Sequence, residues 1–357
     1  MTRRSLLILA ALLLITGLLG WRFAQPVTRP EVKEQPRIHV AGRRIEPPKS
    51  PAPKVSPPPP MKADTGRPAA KPEGPLARFF EQPDKLLKLT PAQLQSYLAS
   101  NKRNAESLLA AMRLTGDIEF LREAAKNFPN DAAVQLELAF RSGIPGERRR
   151  ALDALKRIDP ANALSDYLSA LEHLRAGNPT AAFDDLSAAS AKGLINDYAL
   201  PAMQSAEEAF LAAGFTSVEA KAAAMMGLQR RQVEPLRDLS KQLAALQKAY
   251  TAAGDTTSAE AIRQMGHALG QQAQFGARYF IDELVGMNIE RQFLDPANAS
   301  ARQQELKQRT DYIRSLTGSP QWEALMRQGS AAEITLFVDR LKLYGEEAAI
   351  RWLLQRH

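Results

Sequence analysis

The chain has 357 residues, a formal net charge of +8 and no cysteine, so disulfides, thiolate nucleophiles and Cys-based metal sites are excluded together. The positive charge is unevenly placed. Residues 1–75 hold 13 Lys and Arg against five Asp and Glu, a net of +8, and residues 76–357 balance at 34 against 34. The folded part therefore lacks the basic footprint of a phosphate-backbone binder, and no nucleic-acid partner is expected.

At the N-terminus, Arg3 and Arg4 precede the uncharged apolar run SLLILAALLLITGLLGW, Ser5 to Trp21. At a helical rise such a run spans roughly 25 Å, near the short limit for crossing a bilayer core. Trp21 and Phe23 suit the membrane–water interface, and the exit from Gly17 to Ala24 contains no Ala-x-Ala cleavage signal. Residues 1–25 are thus expected to be an uncleaved signal anchor, a single transmembrane helix. The two arginines would keep the short end in the cytoplasm and the bulk of the chain on the periplasmic side of a bacterial inner membrane. No Cys follows the run, which excludes a lipoprotein anchor.

Residues 26–75 hold 14 of the 24 prolines, including Pro57 to Pro60. Proline fixes φ and lacks an amide hydrogen, so neither helix nor sheet interior forms there. A disordered, basic, extended linker is expected, with a reach on the order of 150 Å if wholly polyproline II. Its Lys and Arg residues suit an anionic membrane surface.

Beyond residue 75 the composition turns to Ala, Leu, Gln and Glu with frequent helix punctuation, and alternating strand patterns are nearly absent. Thr90-Pro91-Ala92-Gln93, Thr216-x-x-Glu219, Thr257-x-x-Glu260 and Ser330-x-x-Glu333 read as capping boxes, and Ser319-Pro320 opens another helix. Gly116, Gly177, Gly214 and Gly254 fall where helices should stop. Longer helices are expected near Gln232–Ala253 and Thr256–Gln274. The fold class predicted is all-α, an α-α hairpin solenoid, with helical repeats over 76–230 and C-terminal helical hairpins over 231–357.

Weak internal similarity accompanies the hairpins. One unit carries Ala170, Gly177-Asn178, Ala182, Leu186 and Ala189, and another carries Leu246, Tyr250, Gly254-Asp255 and Ala259. Phe128-Pro129-Asn130-Asp131 and Asp159-Pro160-Ala161-Asn162 supply turns between units. This spacing resembles the tetratricopeptide repeat, although Asp166, His173 and Arg263 stand where that family prefers Trp, Tyr and a large apolar residue. The resemblance implies stacked hairpins whose first helices line a concave groove. By that register Arg175, Lys248 and Tyr167 are the candidate partner-binding residues. Tyr167 also continues the apolar stripe Leu164, Leu168, Leu171, which suits the core.

Catalytic signatures are missing. The histidines His39, His173, His267 and His357 have no ligand-spaced partner, and neither a phosphate loop nor Gly-x-Ser-x-Gly occurs. The adjacent acids Asp184-Asp185 and Asp282-Glu283 point roughly 100° apart on a helix and read as solvated faces. Trp322, Leu325 and Met326, then Ile334, Phe337, Val338 and Leu341, then Ile350, Trp352, Leu353 and Leu354, read as core stripes. No cofactor or metal is expected, nor is enzymatic activity. The function expected is that of a membrane-anchored, exported protein-binding scaffold or assembly factor in the cell envelope. A tethered transducer spanning the periplasm and an envelope enzyme with an unfamiliar helical fold are the alternatives.

Overall fold

Helix-terminating residues divide the chain into short segments that pair through small side chains. The computed structural model describes residues 87–356 apart from 296–298, all of which belong to one compact unit. The predicted anchor and linker lie outside the described residues. Among the described residues every regular element is a helix, beside a lone parallel bridge between Asn162 and Leu194. None of these helices is long and apolar enough to cross a membrane.

The first eight helices are α1 (Pro91–Ser100), α2 (Ala105–Thr115), α3 (Ile118–Asn127), α4 (Ala132–Arg141), α5 (Pro145–Ile158), α6 (Leu164–Arg175), α7 (Pro179–Ser190) and α8 (Ala199–Ala212). They are followed by α9 (Ser217–Met226), α10 (Val233–Ala252), α11 (Thr256–Gln274), α12 (Phe280–Gln292), α13 (Ala299–Thr317), α14 (Pro320–Gln328), α15 (Ala331–Tyr344) and α16 (Glu346–Leu354). The long helices predicted around 232–253 and 256–274 are α10 and α11.

Thr90, Thr216 and Ser330 form the capping boxes expected of them, and Ser319 caps α14. At the fourth predicted box the helix begins earlier. Asp255 caps α11 by accepting from the Ser258 amide, so Thr257 lies inside the helix. An Asp two residues upstream offers an equally good acceptor and takes the start of the helix. Gly116, Gly177, Gly214 and Gly254 all hold the left-handed φ of a helix stop, between 72° and 88°.

Neighbouring helices pair as hairpins, among them α2 with α3, α4 with α5, α6 with α7, α8 with α9 and α10 with α11. In the α6–α7 hairpin Ala170, Ala182, Leu186 and Ala189 are all completely buried, so the small residues do bring the two backbones close. Other contacts return across the chain. Helix α8 packs on α1 and α2, α10 on α6, α11 on α7, and α9 on α15. The Tyr97 hydroxyl donates to the Ser205 carbonyl at 3.1 Å, and Gln93 Nε2 donates to the Ala213 carbonyl at 2.7 Å. An open stack touches only adjacent repeats; here the array bends back so that α8 covers the first hairpin.

Two large apolar cores result. One joins α8 and α9 to α12–α16, and the other joins α4–α7 to α10–α12, so both draw residues from either side of position 230. The C-terminal stripes predicted as core are core: Phe337, Val338, Ile350 and Leu353 are buried, with Trp322 and Trp352 packed against them. Helices α11 and α12 cross very closely. A Cβ built on Gly270 would stand 2.5 Å from the Glu290 backbone nitrogen, so only glycine fits that crossing.

Candidate functional site

The three residues proposed from the repeat register do not share one surface. Tyr167 is completely buried, and its hydroxyl donates to Gln272 Oε1 at 2.8 Å. Its place is the core between α6 and α11. Arg175 is exposed and pairs with Glu172 on its own helix at 3.2 Å and with Asp238 of α10 at 3.3 Å. Lys248 is exposed near the far end of α10.

The more organised site is the surface around the α11–α12 connection, residues 275–279. A cavity of about 400 Å³ opens between this connection and the loop preceding α8. Its floor is a charge cluster. Arg230 Nη1 meets Asp197 Oδ2 at 2.7 Å, and Arg230 also holds both oxygens of Asp282. Gln232 Nε2 donates to Asp282 Oδ1 at 2.9 Å, and the Arg230 guanidinium lies 4.5 Å above the Tyr279 ring. Burial, opposed by Arg230, pushes the Asp282 carboxyl up to about 6. Against burial, Asp282 and Asp197 in turn push Arg230 further towards its charged form.

The acidic pair Asp282-Glu283 is therefore not a solvated face. Asp282 is committed to Arg230, and Glu283 is bound by Arg309 from α13. Asp184 is exposed as expected, but Asp185 is drawn against Lys156 and Ser169. A carboxylate enters a helix interface when a cation from elsewhere in the chain meets it, and Arg230 precedes Asp282 by 52 positions.

Backbone geometry marks the same place. Tyr198, which lines the cavity, holds a left-handed φ of 55°, uncommon for a residue with a side chain. Its loop is tied down tightly: Asn162 Nδ2 donates to the Asn196 carbonyl at 2.7 Å, and Gln272 Nε2 to the Lys192 carbonyl at 2.6 Å. The Tyr198 hydroxyl donates to Asp159 Oδ2 at 2.5 Å. Such over-determination is what holds a strained residue in place.

A second cavity, of about 250 Å³, adjoins the first through Ala277, Arg278 and Tyr279. Arg278 joins the connection to α15 by donating to the Lys342 carbonyl, and its own carbonyl accepts from the Glu346 amide at 2.8 Å. Deep in this junction Glu346 accepts from the Phe280 amide at 2.7 Å. Burial pushes its carboxyl up to about 7. Two aromatic residues stand at the rims, Phe275 at 73% exposure on the first cavity and Tyr344 at 64% on the second.

Chemically, one guanidinium lies against both carboxylates of the first cavity, so the cluster carries a net charge of −1 when both are ionised. Among the described residues no cluster of three His, Cys, Asp or Glu is arranged to hold a metal. The sequence signal for this site was faint. Phe275-Gly276 follows a long helix directly, which marks an aromatic residue left at a helix stop. No family model, curated protein or solved structure matches the chain.

Proposed function

We propose that the chain is a membrane-anchored helical-repeat protein of the bacterial cell envelope that binds a protein partner, as a scaffold or assembly factor, at the end of its proline-rich tether. The array is read as tetratricopeptide-like hairpins, and the docking face as the surface around residues 275–279. The observation that carries this reading is the pair Phe275 and Tyr344, two exposed aromatics on adjoining cavities that share Arg278 and Tyr279. Aromatic and arginine side chains in pockets dominate the binding energy of protein interfaces, and a floor of two carboxylates around one guanidinium suits a protein surface better than a polyanion. Exposed Arg175, paired with Glu172 and Asp238 away from that face, would steer association more than hold it.

The test is crosslinking in intact membranes followed by recovery of the full-length chain, comparing the natural protein with a Phe275→Ala/Tyr344→Ala double variant. The natural chain should recover a discrete partner and the variant should lose most of it. Both side chains are largely exposed, so the variant's thermal unfolding should match the natural chain's. Equal recovery by the two proteins would move the docking face elsewhere, and recovery of no partner by either would remove the scaffold reading.

A further inference from the structure

Behind the Asp197–Tyr198 wall lies another cavity, of about 270 Å³, bounded by α2, α4, α8 and α9. Leu114, Leu136, Phe140, Phe210 and Leu228 give it apolar walls. At one side three guanidiniums converge on a single carboxylate. Glu137 meets Arg113 Nε at 2.8 Å, Arg141 Nε at 2.9 Å and Arg231 Nε at 3.8 Å. Arg113 and Arg231 line the cavity itself.

One negative charge among three positive ones leaves an excess of two on partly buried groups. Against the effect of burial, Arg113 and Arg141 hold the Glu137 carboxyl below its usual range. Burial pushes the Arg231 guanidinium down, and so do the like charges of Arg141 and Arg113. A further anion beside Arg231 would relieve that repulsion.

A second observation narrows the ligand. Gln232 is 3% exposed and lines the same cavity. Its amide nitrogen is engaged by Asp282, which fixes the orientation of the amide, and its Oε1 has no protein hydrogen-bond partner. A buried acceptor left unpaired is unfavourable, so a donor from a ligand would be favoured there. The cavity thus presents cations, apolar walls and an acceptor within one small space.

We propose that this cavity binds the C-terminal end of an apolar peptide. The terminal carboxylate would lie against Arg231 and Arg113, the last side chain against Phe140 and Phe210, and a backbone N–H would donate to Gln232 Oε1. A simple fatty acid offers the carboxylate and the apolar body but no donor, and a bare phosphate leaves the apolar walls uncovered. The assignment does not rest on the outer face around residues 275–279, although the two cavities share Asp197, Tyr198, Ala199 and Gln232 in their walls.

The experiment is calorimetric titration of the full chain in lipid nanodiscs with acetyl-Ala-Leu-Leu bearing a free carboxylate, with its carboxamide, and with hexanoate. The free acid should bind, and the carboxamide and hexanoate should each bind at least tenfold more weakly. Arg231→Gln should weaken the acid by tenfold or more. Glu137→Gln, which removes the competing carboxylate, should tighten it several-fold, a gain that partial unfolding cannot imitate. Arg231 donates to the exposed Gln229 side chain next to it and stands 3.8 Å from Glu137, so its variant should lose little stability, which a thermal melt beside the titration checks. Equal binding of acid and carboxamide, hexanoate binding as tightly as the peptide, no binding of the peptide, or an Arg231→Gln variant that binds normally would each overturn the assignment.

Discussion

Glu346→Gln tests the electrostatics of the α12–α16 junction. Glu346 is 6% exposed, accepts from the Phe280 amide at 2.7 Å, and has its carboxyl pushed by burial from an ordinary 4.5 to about 7. Asp282 adds to that rise and Arg230 opposes it. Between pH 4.5 and 7 the unfolded chain has released a proton that the folded chain still holds. Proton linkage then makes stability fall as pH rises through that window, and the loss is complete above it. A displacement of 2.5 units at about 1.4 kcal/mol each amounts to roughly 3 kcal/mol. The variant's amide keeps an acceptor for Phe280 and does not ionise. Its N–H groups replace the O–H of the neutral acid, so any cost of housing them is nearly constant with pH. Urea unfolding of both proteins, followed by circular dichroism from pH 4 to pH 8, should therefore give a stability difference that moves in the variant's favour by about 3 kcal/mol. A difference that stays flat with pH, or that favours the natural chain more at pH 8 than at pH 4, would refute the reasoning.

Gly270→Ala should destabilise the protein by roughly 1–3 kcal/mol, seen as a lower melting temperature, because the added methyl would meet the Glu290 backbone nitrogen at 2.5 Å. The better helix propensity of alanine, about 1 kcal/mol, does not offset a clash of backbone with backbone. Tyr167→Phe should cost about 1–2 kcal/mol by orphaning Gln272 Oε1, and hydrogen exchange should quicken around Lys192, whose carbonyl the same glutamine holds. An unchanged exchange pattern would show that the glutamine does not depend on Tyr167 for its position.

What was legible in the sequence was what neighbours along the chain decide. The cap at Thr90 needs only Gln93, and the stop at Gly177 needs only a residue that tolerates a φ of 72°. The core stripes of α14, α15 and α16 follow from helical periodicity in the same way. The site was hidden because its parts come from far apart. Asp282 looks like any helix-surface acid until Arg230 arrives from the turn before α10, and the Glu137 cluster gathers arginines from three separate segments. Thr257 shows the limit even of local reasoning, since two acceptors two residues apart compete for one helix start. The close α11–α12 crossing was not among the expectations, although Gly266 and Gly270, four apart, lie on one face of α11 and a Cβ on either would meet α12 or Phe293 just after it.

The return of α8 over α1 and α2 has a kinetic consequence. The Tyr97–Ser205 and Gln93–Ala213 bonds join residues 108 and 120 positions apart. Closing a loop of that length carries an entropic cost of about 4 kcal/mol beyond its constant term, and it must be met before the contacts form. The first hairpin therefore cannot complete its core until α8 has been made; Tyr97 and Ala110 wait for Ala209. Folding should be slower than that of a helical bundle with only local contacts, and the earliest helices should remain open to chaperones until more than a hundred further residues have followed them.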